Sequence, residues 1–91
     1  MYEIEVEVTE DINPYKKLVE RFGKEKKETS IPDPYGAISL KEWDNGIILV
    51  RKVEYDFGRK MYVMKDRACI PEGSEFKGLI EELELIQSVK R

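Results

Sequence analysis

The sequence predicts a single α+β domain over residues 1–91, in which an antiparallel sheet and two helices follow the order β-α-β-β-β-α. Three observations support this fold class. Residues 2–8 alternate between apolar and acidic side chains, as half-buried strands do. Two segments, within residues 15–27 and 75–90, repeat apolar residues at helical spacing. Between these segments lie three strand-like runs separated by turn-forming residues.

The first predicted strand covers residues 2–9 and places three carboxylates, Glu3, Glu5 and Glu7, on one face. The other face is apolar, so we expect the strand to be half buried. The carboxylate row could bind a hard cation such as Mg²⁺ or Ca²⁺. We instead interpret it as the solvated side of the sheet, or as a set of partners for basic residues on a neighbouring strand.

The first predicted helix follows a capping signal. Asn13 can accept a hydrogen bond from the first turn, and Pro14 suits the first helical position. Apolar residues from Tyr15 to Phe22 follow the i, i+3, i+4, i+7 pattern of a helix. Residues 24–28 are expected to form a solvated last turn or a loop. The helix must end before residues 31–34, because the prolines there favour extended backbone.

Three further strands are predicted at residues 37–43, 47–55 and 60–67. The strongest turn signal in the chain, Asp44-Asn45-Gly46, joins the first two of them, and its glycine can adopt a positive φ. We favour a three-residue loop over a two-residue loop. The longer loop pairs Trp43 with Ile47 and Leu40 with Val50, which keeps apolar side chains together.

The final predicted helix begins after a cap at Ser74 and covers residues 75–90. Its expected core face is a broad apolar stripe formed by Phe76, Leu79, Ile80, Leu83 and Ile86. Leu85 and Val89 lie roughly opposite this stripe, where solvent is expected. The helix therefore has apolar residues on two sides.

The strands also carry more apolar surface than two helices can cover. Residues 47–50 and 61–64 are apolar on both faces, as in strands that are buried on both sides. The sequence therefore predicts that a second subunit completes or covers the sheet. We expect a homodimer, in which strands or helices could be exchanged between subunits. The candidate dimer contacts are Ile48, Val50, Met64, Leu85 and Val89.

The composition argues against most catalytic chemistry. The chain has no histidine and a single cysteine, Cys69, which removes the usual general base, the nucleophilic dyads and the thiolate metal sites. No phosphate-binding glycine loop occurs. The sequence therefore predicts no cofactor and no metal site, and it favours a protein that is not an enzyme.

Charge and cysteine content indicate the expected environment. Charged residues make up 38% of the chain, most of them Lys and Glu, and amide side chains are rare, which is typical of thermophiles. A single cysteine suits a reducing cytoplasm. We expect no signal peptide, and no apolar run is long enough to span a membrane. A cytoplasmic location without membrane binding is therefore expected.

Two sets of charged residues are candidate interaction sites. The acidic patch comprises Glu3, Glu5, Glu7, Glu81, Glu82 and Glu84. The basic patch comprises Arg51, Lys52, Arg59, Lys60, Lys65 and Arg67. Aromatic residues interleave with this basic patch, as in some single-stranded nucleic-acid binders. We favour a second interpretation, in which these cations pair with Glu54, Asp56, Asp66 or the first-strand glutamates in cross-strand networks.

These features predict a small acidic homodimer that acts as a protein–protein interaction module, its acidic patch binding a basic partner. One alternative is a nucleic-acid binder that uses the basic hairpin region 51–67, although a net charge of −3 disfavours binding to a phosphate backbone. A less favoured alternative is a carboxylate-dependent metal-binding enzyme.

Overall fold

The computed structural model describes residues 1–34 and 36–89, and for residues 87–89 it describes the backbone only. The elements are β1 (Tyr2–Glu7), α1 (Pro14–Phe22), β2 (Lys27–Asp33), β3 (Gly36–Glu42), β4 (Ile48–Asp56), β5 (Met61–Ile70), a 3₁₀ turn (Ser74–Phe76) and α2 (Lys77–Val89). The predicted α+β class, with an antiparallel sheet and two helices, is confirmed.

The sheet has five antiparallel strands in the order β1-β5-β4-β3-β2, one strand more than predicted. The additional strand, β2, begins where the sequence predicted a last helical turn or a loop. Helix α1 ends at Phe22 because Gly23 adopts a φ of 80°, which leaves the helical region. All seven residues of β2 are exposed, so the strand lacks the apolar alternation by which a strand is recognised.

The β3–β4 hairpin has the predicted register. Leu40 pairs with Val50. Trp43 donates its backbone N–H to the carbonyl of Ile47 at 3.0 Å, which closes the three-residue loop. Gly46 in that loop has a φ of 93°, a conformation that glycine adopts without steric cost.

The two helices begin differently. Asn13 caps α1 by accepting a hydrogen bond from the Lys16 N–H at 3.2 Å, and Pro14 is the first helical residue, as predicted. The predicted cap Ser74 instead lies within a 3₁₀ turn, and α2 begins at Lys77. Within the described residues, neither helix is long and apolar enough to cross a membrane.

Both helices pack on one side of the sheet, which we call the helix face. Leu18 of α1 and the predicted stripe of α2 cover the apolar residues of β1, β4 and β5. The fully buried core side chains include Leu18, Ile47, Leu49, Ile70, Leu79 and Leu83. We call the other side of the sheet the open face, and no helix of the described residues covers it. The second subunit that the sequence predicts to cover the sheet stays a prediction.

Candidate interaction surfaces

The open face divides into an apolar half and a charged half. Its apolar half, on β2, β3 and β4, is formed by Ile31, Ile38, Leu40, Ile48 and Val50. Ile31 is 56% exposed and the other four are half-buried within the single chain. This half is therefore an apolar surface that the protein's own helices leave uncovered.

The charged half, on β1, β4, β5 and the turn between β4 and β5, holds an array of ion pairs. The array consists of Glu5, Glu7, Lys52, Glu54, Asp56, Arg59, Lys65 and Arg67. Four carboxylates and four cations make it up, so the array has no net charge. A shallow cavity of about 340 Å³ lies where the array meets the apolar half, beside Val50.

Glu54 is the centre of the array. Its carboxylate contacts Lys65 at 3.1 Å and Lys52 at 3.2 Å. Hydrogen bonds from these two lysines lower the pKa of Glu54 below its ordinary value. Arg67 lies directly opposite Glu5 in the β1–β5 register and contacts it at 3.4 Å. Cross-strand register thus places opposite charges together.

The predicted acidic row of the first strand is largely engaged within the chain. Glu7 pairs with Arg59, which also contacts Asp56 at 2.8 Å. Glu3 accepts a hydrogen bond from the Cys69 thiol at 3.5 Å. Burial and the neighbouring Glu3 carboxylate raise the pKa of that thiol, which keeps it protonated near neutral pH.

The predicted basic patch does not form one surface. Arg51 lies on the helix face, whereas Lys52, Lys65 and Arg67 lie on the open face. Each of these four residues, like Arg59, forms an ion pair. The remaining member, Lys60, has a φ of 55° in the β4–β5 turn and forms no ion pair with a described residue. The hairpin therefore presents little unpaired positive charge.

The acidic run of α2 separates into two groups. Glu82 faces α1, where it contacts Lys17 at 3.2 Å and Arg21 at 3.1 Å. Burial alone would raise the pKa of Glu82, but hydrogen bonds from these two cations lower it below its ordinary value. Glu81 and Glu84 are exposed and form no ion pair with any described residue.

The predicted dimer contacts lie on different surfaces. Ile48 and Val50 share the open face. Met64 lies on the helix face, where it pairs with Val53. Leu85, 66% exposed, is on the outer side of α2, and the side chain of Val89 is outside the described residues. The structure therefore brings together two of the five, Ile48 and Val50.

A buried ion pair on the helix face was not predicted as a site. Asp66, 0% exposed, accepts two hydrogen bonds from the guanidinium of Arg51, both at 2.8 Å. Arg51 also donates to the Asn13 side chain at 3.0 Å. The hydrogen bonds to Asp66 raise the pKa of Arg51. The pair links β4 and β5 to the start of α1, and its complete hydrogen bonding is typical of a structural pair.

A second polar cluster surrounds Tyr15. Two cations lie over its ring, with the Lys41 ammonium 5.0 Å and the Arg51 guanidinium carbon 5.2 Å from the centroid. Its hydroxyl donates to Glu25 at 2.8 Å. Lys41 in turn contacts both Glu25, at 3.5 Å, and Glu28. Sequence reasoning missed both the Arg51–Asp66 pair and the Tyr15 cluster. The signal that could have indicated them is a charged residue at a core-facing strand position, such as Lys41 in β3.

Glu25 makes the stability of the protein depend on pH. Burial alone would raise its pKa, but hydrogen bonds from Tyr15 and Lys41 lower it below 4.5. A lowered native pKa stabilises the fold above the unfolded value, and this contribution disappears as pH falls through the native value. We expect Glu25→Gln to be less stable than the wild type at pH 7, with the difference shrinking between about pH 5 and pH 3.

Thermal denaturation across this pH range measures the difference. Glu20→Gln is the matched control, because Glu20 is an exposed glutamate on α1, whereas Glu25 is partly buried in the segment that follows this helix. Its melting curve should follow that of the wild type at each pH. A difference in melting temperature between Glu25→Gln and the wild type that stays constant with pH would contradict the lowered pKa of Glu25.

Comparisons with protein-family models, with curated proteins and with solved structures found no match. Within the described residues, no group of three or more His, Cys, Asp or Glu side chains is arranged to hold a metal ion. What the protein does has therefore to be inferred from its own surfaces.

Proposed function

We propose that the protein is a non-catalytic protein-interaction module that binds a basic segment of a partner along the outer side of α2. The observation that carries the proposal is the pair of exposed carboxylates Glu81 and Glu84 beside Leu85, which is 66% exposed. The three residues have i, i+3, i+4 spacing and so lie on one side of the helix. We call this set the α2 acidic face.

The availability of its charges distinguishes the α2 acidic face from the first-strand carboxylates. A basic ligand that approached Glu5 or Glu7 would have to compete with Arg67 or Arg59 in the same chain. Glu81 and Glu84 have no such competitor among the described residues. Leu85 adds an apolar contact beside the charges, which suits a ligand that contains both lysines and apolar residues.

The alternative functions receive less support. A nucleic-acid binder needs a surface of unpaired cations, and the hairpin cations other than Lys60 are paired with carboxylates. A carboxylate metal site needs convergent oxygens, whereas Glu5 and Glu7 contact guanidinium groups. The interaction module is therefore the proposal that fits the surfaces best.

A binding measurement with a labelled lysine- and leucine-rich peptide tests this function. We expect Glu81→Lys with Glu84→Lys to weaken binding roughly tenfold, since two exposed charge contacts become repulsive. The matched control is Glu10→Lys with Glu20→Lys, which changes net charge equally at exposed positions away from α2. It should retain binding. Equal losses in both variants, or no binding by the wild type at low salt, would overturn the proposal.

A further inference from the structure

We infer that the open face of the sheet is an interface with a second copy of this chain. Four apolar side chains on neighbouring strands β3 and β4 are half-buried there, and neither helix of the described residues covers them: Ile38, Leu40, Ile48 and Val50. Ile31 of β2 extends the same surface and is 56% exposed. A contiguous apolar surface beside a charged border is a feature of protein interfaces.

The charges on this face fit a copy of the same chain better than a strongly charged partner. A two-fold interface brings a surface against itself, so a surface of one sign would repel its copy. The array of the charged half has four carboxylates and four cations and is neutral. The register places four further charged residues on this face, Glu3, Lys27, Asp33 and Glu42, so the whole face carries a charge of −2. The array therefore meets its copy without net repulsion, and the small charge of the whole face gives a strongly acidic or basic partner little net attraction.

The geometry of a two-fold contact also fits. An axis that lies between two stacked sheets and runs across their strands places each strand over its own copy. The apolar residues of β2 and β3 then lie over their copies, and the charged residues of β1 and β5 lie over theirs. Stacked sheets pack about 10 Å apart with strands within about 30° of alignment, a distance that apolar side chains from both sheets fill.

The size of the face is sufficient for a stable dimer. Five strands at a spacing of about 4.8 Å give a width of roughly 24 Å. Strands of six to ten residues at about 3.3 Å per residue give lengths of roughly 20–33 Å. Each copy thus contributes roughly 500–800 Å², and the total of roughly 1,000–1,600 Å² reaches the range of specific interfaces.

This interface goes beyond the proposed function and uses the opposite side of the molecule. The α2 acidic face lies on the helix side of the sheet, so it stays accessible when two open faces meet. The two proposals can therefore fail separately. Reversing charges on α2 should leave the dimer intact, and reversing charges on the open face should leave peptide binding intact.

Sedimentation velocity over a range of protein concentrations tests the interface. We expect the wild type to be a dimer at micromolar concentration. Lys52→Glu with Lys65→Glu changes the array from neutral to a charge of −4 without touching the apolar core, so the dimer should dissociate at least tenfold more readily. Lys16→Glu with Lys24→Glu, an equal charge change at exposed positions outside the open face, should leave the dimer unchanged.

Two leucine-to-lysine substitutions, one on the open face and one on α2, test the dimer independently of the charge reversal. Leu40→Lys, in the centre of the apolar half, should yield a monomer, whereas Leu85→Lys on α2 should stay dimeric. Circular dichroism identifies folded variants, and the lysine-to-glutamate variant decides the question if Leu40→Lys does not fold. A wild type that is monomeric at all concentrations, or a dimer that survives the open-face charge reversal, would overturn the inference.

Discussion

Asp66→Ala is expected to lower the free energy of unfolding by about 3–5 kcal/mol, because it leaves the Arg51 guanidinium without its carboxylate. The Asp66 side chain is 0% exposed and that of Arg51 is 18% exposed, so water cannot fully replace the lost partner. Asn13 would keep one hydrogen bond to Arg51, at 3.0 Å, but no charge. Urea denaturation at neutral pH measures the change.

Two controls separate the buried charge from the loss of an ion pair as such. Arg67→Ala removes an ion pair to Glu5 in which both side chains are more than half exposed, and it should cost about 0–1 kcal/mol. Replacing both buried partners, Asp66→Leu with Arg51→Met, should recover most of the stability lost in Asp66→Ala. An Asp66→Ala variant within about 1 kcal/mol of the wild type would contradict the role of this pair.

Trp43→Ala is expected to lower the free energy of unfolding by about 3–5 kcal/mol, the range for removing a buried aromatic side chain. Trp43 is 6% exposed and packs with Tyr15 at a ring separation of 6.2 Å. Its indole N–H donates to the Gly23 carbonyl at 2.8 Å, which holds the end of α1 against the β3–β4 hairpin. Trp43 therefore joins the helix layer to the sheet.

Trp43→Phe keeps a ring but removes the hydrogen bond to Gly23. It should cost about 1–3 kcal/mol, less than the alanine variant. Guanidinium denaturation of the two variants separates the stability that the ring contributes from the stability that the hydrogen bond contributes. If Trp43→Phe were as stable as the wild type, the indole hydrogen bond would not anchor the end of the helix.

The elements with strong local signals could be predicted from the sequence. The loop between Trp43 and Ile47 follows from turn chemistry and from apolar pairing across only a few residues. Strand β2 could not be predicted in this way, because its seven exposed residues bury no apolar face. This strand forms because its backbone pairs with β3, for example Ser30 with Ser39. Such backbone pairing leaves no periodic pattern in the sequence.

Pairing of the strand cations with carboxylates was predictable from the sequence, but the individual partners were not. The sequence shows that Glu5 and Arg67 are charged, but their contact depends on the β1–β5 register, across 62 residues. The contact between Arg51 and Asp66 likewise depends on the β4–β5 register and on the helix that buries it. The availability of an acidic residue to a partner is thus a property of the fold.

The central claim is that the carboxylates of the first strand are engaged within the chain, whereas Glu81 and Glu84 are available to a partner. An NMR titration of ¹⁵N-labelled protein with the lysine- and leucine-rich peptide tests it most directly. The largest amide shift changes should cluster at Glu81, Glu84 and Leu85 on α2 and decrease with added salt. Largest changes at β1 residues 3–7, with α2 unaffected, would contradict the claim.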